Sequence, residues 1–335
     1  MNGKPYLNFT HTIQRQILIG VMVIAVLTAG CTEKTDKTYR VGVVCGADFF
    51  IPVINGFKTK MAELGFIEGE NIFYTVQTCN DDPDAEHRAA EQFVTDRVDL
   101  ILTVPTQPTI KAQEAIEGTN VPVVFAYVGI EGTSLVNSVS NPGGNITGVR
   151  FPGPEQMSKA LELLLEFLPQ AKRIWIGYDK DYPTADPTLN ALRPLALAKG
   201  VTLIEVPVTS EKGLESDLAE RDAVAEPGMD AIIIMPDTLN HSPAGWSVIR
   251  SFAEKNKIPI GGTFLNIVEQ GALFGSTNDL FQESGTHECR TFQISAKSVL
   301  HTGDRVCRHE RGHTSDIGLL WNSFSLPEPA GRHCR

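Results

Sequence analysis

From Tyr39 onward, short apolar and β-branched runs alternate with stretches whose apolar positions recur every three or four residues. Residues 40–45 predict a strand. Residues 52–64 predict a helix, with Ile54, Phe57, Met61 and Leu64 near one face and Gly65 as its stop. A second strand is predicted over 71–78. Asp82-Pro83 opens the next helix, Asp as N-cap and Pro at the first helical position, and Ala89, Ala90, Phe93, Val94 and Val98 follow at helical spacing. Apolar runs over 98–104 and 121–127 predict two more strands, separated by a helix near 109–117. Continuous apolar strands joined by helices indicate a parallel sheet covered on both faces.

Between residues 136 and 154 this rhythm breaks. Asn141-Pro142-Gly143-Gly144-Asn145 is turn chemistry, and 146–149 reads as extended. The alternation then restarts. A helix over 154–168 carries Leu161, Leu164, Leu165 and Leu168. Strands are predicted over 173–178, 201–206, 229–235 and 258–261, and helices over 186–199, 211–225 and 243–256, the last with Ser242 as N-cap. Two α/β units joined by a Gly-rich crossover predict a two-lobed protein whose default ligand site is the cleft between lobes.

The two ends of the chain read differently. Lys4 and Arg15 precede an apolar run from Ile17, no acidic residue occurs before Glu33, and the run closes on Leu27-Thr28-Ala29-Gly30-Cys31. A basic start, a short apolar core and a small-residue exit describe a secretory signal. The run is shorter than the roughly 20 apolar residues of a transmembrane helix. Its ending resembles a bacterial lipobox, in which the Cys is acylated and becomes the new N-terminus. Cys31 is then the lipidation site, residues 1–30 the signal peptide and 31–38 a polar tether; a plain signal peptide or an uncleaved anchor is the alternative. At the other end, periodicity fails from about Glu283. Five of the eight histidines and three of the six cysteines fall in 283–335. This segment reads either as a solvated tail or as the product of a shifted reading frame near Gln282, which would remove the native C-terminus and with it some sheet and helix cover.

Composition narrows the function. The chain has 335 residues, 42% of them hydrophobic, a net charge of −11 and a pI near 5.2. No basic patch is present to neutralise phosphates, which argues against nucleic acid. Cys45 and Cys79 end predicted strands; they read as buried apolar residues, and their pairing in an oxidising compartment stays open. Cys307, His309 and His313 lack the ordered spacing of a zinc site, so no metal is expected. No P-loop occurs, and Gly42-Val43-Val44-Cys45-Gly46 lacks the third glycine of a dinucleotide site. A Ser-His-Asp triad is not local in sequence. Outside the leader and tail, however, the histidines are only His87, on a helix, and His241, in a loop after a strand.

In open α/β sheets ligands bind outside the carboxyl ends of the strands. Here those loops carry carboxylates, hydroxyls and aromatic rings. Asp48 and Phe50 follow the first strand, Thr106 and Gln107 the third. Tyr127 and Tyr178 end two others, Asp237 and Thr238 follow residues 229–235, and Thr263 and Phe264 follow 258–261. A zwitterion needs a carboxylate for its ammonium, and hydroxyls and free N–H groups for its own carboxylate. Asp237 is the candidate anchor for a cationic group, and Thr106 for an anionic one. Phe50, Tyr127 and Tyr178 are candidate walls for an apolar side chain. Each of these residues has a bland alternative, as core ring or helix cap.

With these residues laid out, residues 39–279 resemble the ABC transporter substrate-binding lipoprotein family that includes tryptophan- and tyrosine-type binding proteins. The likeness rests on Val121-Pro122-Val123-Val124-Phe125-Ala126, Pro142-Gly143-Gly144-Asn145-Ile146-Thr147-Gly148-Val149, Leu161-Glu162-Leu163-Leu164, Pro169-Gln170-Ala171-Lys172-Arg173-Ile174, Lys257-Ile258-Pro259-Ile260 and Gly271-Ala272-Leu273. The proline-glycine-glycine-asparagine block is the most specific of these. The resemblance implies an α/β fold of the periplasmic-binding-protein type I: two Rossmann-like lobes, 39–148 and 149–277, joined by a three-strand hinge that closes on ligand. It implies no catalysis and no cofactor. Its implied partners are a small molecule, a membrane permease and its ATPase subunit, and the membrane through the lipid anchor, with the protein a monomer. Where the family usually has an Asp-Pro pair, this chain reads Val128-Gly129-Ile130-Glu131-Gly132, which leaves the ligand class open.

Three functions fit this reading. One is an extracytoplasmic solute-binding lipoprotein of an ABC importer. The second is an exported enzyme on the same scaffold with His241 and Asp237 as an acid–base pair. The third is a ligand-sensing lipoprotein that hands its closed state to a membrane receptor. Fold analogy alone does not separate them.

Overall fold

The computed structural model describes residues 37–264 and 266–275. The leader, Cys31 and the 283–335 tail lie outside the described residues. Two five-stranded parallel sheets make up the described chain. The first contains β1 (Tyr39–Cys45), β2 (Ile72–Thr78), β3 (Leu100–Val104), β4 (Val123–Val128) and β5 (Ile146–Arg150), in the order β2-β1-β3-β4-β5. The second contains β6 (Arg173–Asp179), β7 (Thr202–Val208), β8 (Ala231–Ile233), β9 (Ile260–Gly262) and β10 (Phe274–Gly275), in the order β10-β9-β8-β6-β7. The chain crosses from one sheet to the other at residues 151–152, between β5 and the next helix. The α/β, two-lobed expectation holds.

Side-chain alternation explains why helices cover both faces of the first sheet. All five residues of β3 are buried. Leu100, Leu102 and Val104 pack with Val53, Ile54, Phe57 and Met61 of α1 (Ile51–Glu63). The intervening Ile101 packs with Ala89, Ala90 and Phe93 of α2 (Pro83–Thr95) and Ala112 of α3 (Thr106–Ala115). Gly42 lets Phe93 lie flat on β1: a Cβ there would come within 2.4 Å of its ring. The second sheet repeats the scheme. Ile174 and Ile176 pack with Met157, Leu161 and Leu164 of α4 (Gly153–Phe167) and with Leu189 and Leu192 of α5 (Ala185–Ala198). Trp175 faces the other way, against Leu214 and Leu218 of α6 (Glu211–Asp222), and its Nε1 donates to Asp217 Oδ2 at 2.8 Å.

The expected caps form. Asp82 accepts from the N–H groups of Asp84 (3.0 Å) and Ala85 (3.2 Å). Ser242 accepts from the N–H of Gly245 (3.0 Å). In the glycine-rich block, Gly143 and Gly144 adopt positive φ, and Asn145 Nδ2 donates to the Val121 carbonyl at 2.7 Å. Other elements differ from expectation. Helix α3 begins at Thr106 rather than near 109, and β8 is three residues long although Ile234 and Met235 beyond it stay buried. Two four-residue helices, α7 (Thr238–His241) and the later Asn266–Glu269, and the turn of 3-10 helix at Asp48–Phe50, are too short to show a period. Cys45 and Cys79 are buried free thiols, and burial pushes them up to about 12 and about 11.

Candidate ligand-binding cleft

Strand carboxyl ends of both lobes converge on a cavity of about 300 Å³. From the first lobe, the loop after β1 contributes Ala47 to Phe50, and the loop after β2 contributes Asn80 and Asp81. From the second lobe come Tyr182, residues 236–238, residues 241–243 and Phe264. The lining is mainly carbon, as expected of a small-molecule site.

Aromatic rings form its walls. Phe49 and His241 lie nearly parallel across the two lobes, with centroids 6.0 Å apart and an interplanar angle of 13°. Phe264 stands edge-on to both, at 5.6 Å from Phe49 and 4.4 Å from His241. Behind it, Phe264 stacks on Phe151 at 5.6 Å, and Phe151 on Tyr127 at 4.9 Å. Burial pushes the His241 imidazole down to about 3, so the ring is neutral, and its Nε2 is enclosed with no hydrogen-bond partner.

Asp237 sits at the floor, almost fully buried. Its Oδ2 accepts from the Asp179 N–H (3.0 Å). Its Oδ1 accepts from the N–H (2.8 Å) and the side-chain amide (2.8 Å) of Asn240, which makes Asp237 the N-cap of α7. Burial still pushes its carboxyl up to about 7 against those hydrogen bonds. No hydrogen bond joins Asp237 to His241 among the described residues, so the acid–base pairing has no geometric support. Asp81 lines the opposite wall. Its backbone and that of Asn80 are left-handed (φ 58° and 53°), and burial pushes its carboxyl up to about 6.

The other candidates take varied positions. Asp48, Phe50, Thr238 and Phe264 line the cavity with Asp237. Thr106, Gln107, Tyr127, Tyr178 and Thr263 are not part of the lining. Thr106 instead ties two loops of the first lobe together: its Oγ1 accepts from the Gly129 N–H at 3.0 Å. Tyr127 is buried in the first lobe's core beside a register shift of β4 against β5, and Tyr178 is buried in the second lobe's core. Thr263 is fully buried with its hydroxyl unpartnered. Glu131, in the loop that departs from the family pattern, turns away to pair with Arg150, which also holds Glu155 at 2.7 Å. Sequence reasoning passed over Phe49, Asn80, Asp81 and Tyr182 as contacts. The strand-end rule applied to β2 would have found Asn80 and Asp81.

The chain belongs to the ABC transporter substrate binding protein family, whose model matches residues 41–287. It is 25% identical over 275 residues to the tyrosine-binding protein of Clostridioides difficile, covering 77% of this chain and 76% of the relative. Among solved structures it is similar to a conserved domain protein of Vibrio cholerae (TM-score 0.70, 23% identity, 78% and 86% of the two chains). It is also similar to an ABC domain of Streptococcus pneumoniae in complex with L-Trp (TM-score 0.68, 21% identity, 77% and 85%). The fold is that of the type I periplasmic-binding proteins, and the family role is binding rather than catalysis. Such substrate-binding proteins work outside the cytoplasm. Among the described residues no helix is long and apolar enough to cross a membrane.

Proposed function

We propose that this chain is the lipid-anchored solute-binding component of an ABC importer, capturing an amino acid or similar small molecule with an aromatic body and delivering it to the permease and its ATPase. The observation that carries this reading is the cavity itself. It is bordered by both lobes, walled by Phe49, His241 and Phe264, and of a size for one small solute. A relative described as tyrosine-binding and a similar fold holding L-Trp support the aromatic class. Acylation at Cys31 would keep the protein at the membrane after export.

A thermal-shift screen over amino acids, short peptides, purines and sugars tests the binding reading. Ligand at about 100 times its Kd adds about 2.7 kcal/mol of stability. A shift confined to aromatic amino acids is expected, and a shift confined to sugars or purines would contradict the class. Cys31→Ala is expected to release the protein from the membrane fraction, with radiolabelled palmitate incorporation lost.

A further inference from the structure

We propose that the cleft selects its ligand by a protonated amine received by Asp81, and that a free carboxylate on the ligand is dispensable. This rests on the binding reading above and goes beyond it by excluding the aromatic acids. The charged residues of the lining are Asp48, Asp81 and Asp237, and neither Lys nor Arg is among them. Asp48 is exposed at the rim, and both oxygens of Asp237 already accept hydrogen bonds from protein donors. Asp81 is half-buried in the wall and has no side-chain partner among the described residues. It is also held in place: its N–H donates to the Gly46 carbonyl at 2.8 Å, and a Cβ on Gly46 would lie 3.2 Å from its Oδ1. A desolvated carboxylate without a partner is destabilised, and an incoming ammonium supplies both charge and donors.

The rest of the cavity favours a cation in the same way. Phe49 and Phe264 line its walls, and aromatic rings attract ammonium groups. His241 adds no positive charge, and its enclosed, unpartnered Nε2 leaves one polar contact for the ligand. An anion finds no such welcome. Two helix starts that border the cavity are already capped by their own side chains, α7 by Asp237 and the helix Pro243–Asn256 by Ser242, and the turn at 48–50 carries the Asp48 carboxylate. A ligand carboxylate would therefore face carboxylates with no basic side chain to offset them.

Isothermal titration of the purified full chain with two matched trios tests this. One trio is L-tyrosine, tyramine and 3-(4-hydroxyphenyl)propionate; the other is L-tryptophan, tryptamine and indole-3-propionate. In at least one trio the amine is expected to bind within about tenfold of the amino acid, and the deaminated acid about 10- to 150-fold more weakly, as for loss of a charged hydrogen bond of about 1.5–3 kcal/mol. Asp81→Asn, which suits the left-handed backbone, is expected to weaken amine and amino acid by about 10- to 100-fold with an unchanged circular dichroism spectrum. Acids binding as well as amines, or an Asp81→Asn variant with unaltered affinity, would overturn the inference while leaving the binding reading standing. Binding of other amino acids but neither trio would do the same. No binding of any small solute would overturn the binding reading and the inference with it.

Discussion

Phe49 of the first lobe and His241 of the second face each other across the cleft, 6.0 Å between centroids and 13° from parallel. The pair joins the lobes at the cavity wall. Phe49→Ala is expected to weaken solute binding about 3- to 10-fold, in line with an aromatic pair worth about 0.5–1.5 kcal/mol beyond area. Its urea midpoint should stay close to that of the parent, because Phe49 is only half-buried. Titration calorimetry beside urea unfolding separates the two effects.

Asp237 behaves oppositely. Its carboxylate serves two loops, accepting from Asp179 and Asn240. Asp237→Ala loses a helix cap and strands buried donors, at a cost of about 2–3 kcal/mol. Chemical denaturation is expected to show that loss, with Asp237→Asn milder because it keeps one acceptor oxygen.

Glu86 sets a pH dependence. It is fully buried on α2 with neither oxygen partnered. Burial, then Asp81 and Asp82, push its carboxyl from 4.5 up to about 8, with Lys111 opposing. Between those values the folded chain holds a proton that the unfolded chain has released. Its favourable contribution is therefore complete below about pH 4.5 and lost as pH rises through about 8. Glu86→Gln fixes the neutral state. The variant should match the parent in unfolding free energy at pH 4.5 and exceed it at pH 8.5, by about 2 kcal/mol. Asp81 and Asp237 titrate in the same window in both proteins, so they cancel in the comparison. Equal pH profiles would refute the assignment.

Gly148 follows the proline-glycine-glycine-asparagine block by three residues. It sits on β5 against β4, and a Cβ there would come within 1.9 Å of the Phe125 carbonyl oxygen. A clash with backbone cannot be relieved by a rotamer change. Gly148→Ala is expected to cost about 3 kcal/mol, seen as a lower unfolding midpoint or loss of soluble protein.

These examples show what one-dimensional reading reaches. Helix caps are local, so Asp82 and Ser242 were legible from neighbours within three residues. Strand parity was equally legible: Ile174, Ile176 and Tyr178 share one face of β6, and the buried isoleucines carry Tyr178 into the core with them. Asp81 was hidden because Asp82-Pro83 accounts for the loop as a helix start, while the left-handed turn at Asn80 and Asp81 that aims it leaves no sequence period. The enclosure of His241 depends on Phe49, almost two hundred positions earlier in the chain, and no spacing rule connects them. Thr106 carries the hydroxyl that sequence reasoning wanted for a ligand, but the Gly129 N–H uses it instead.

One chain is expected to hold one unaltered small solute between its lobes. Native mass spectrometry of the protein incubated with an amino-acid pool is then expected to show one added mass per chain, matching an aromatic amino acid, recovered intact on denaturation and depleted in Phe49→Ala. A chain that stays unliganded at millimolar pool concentrations, or that releases a chemically changed solute, would contradict it.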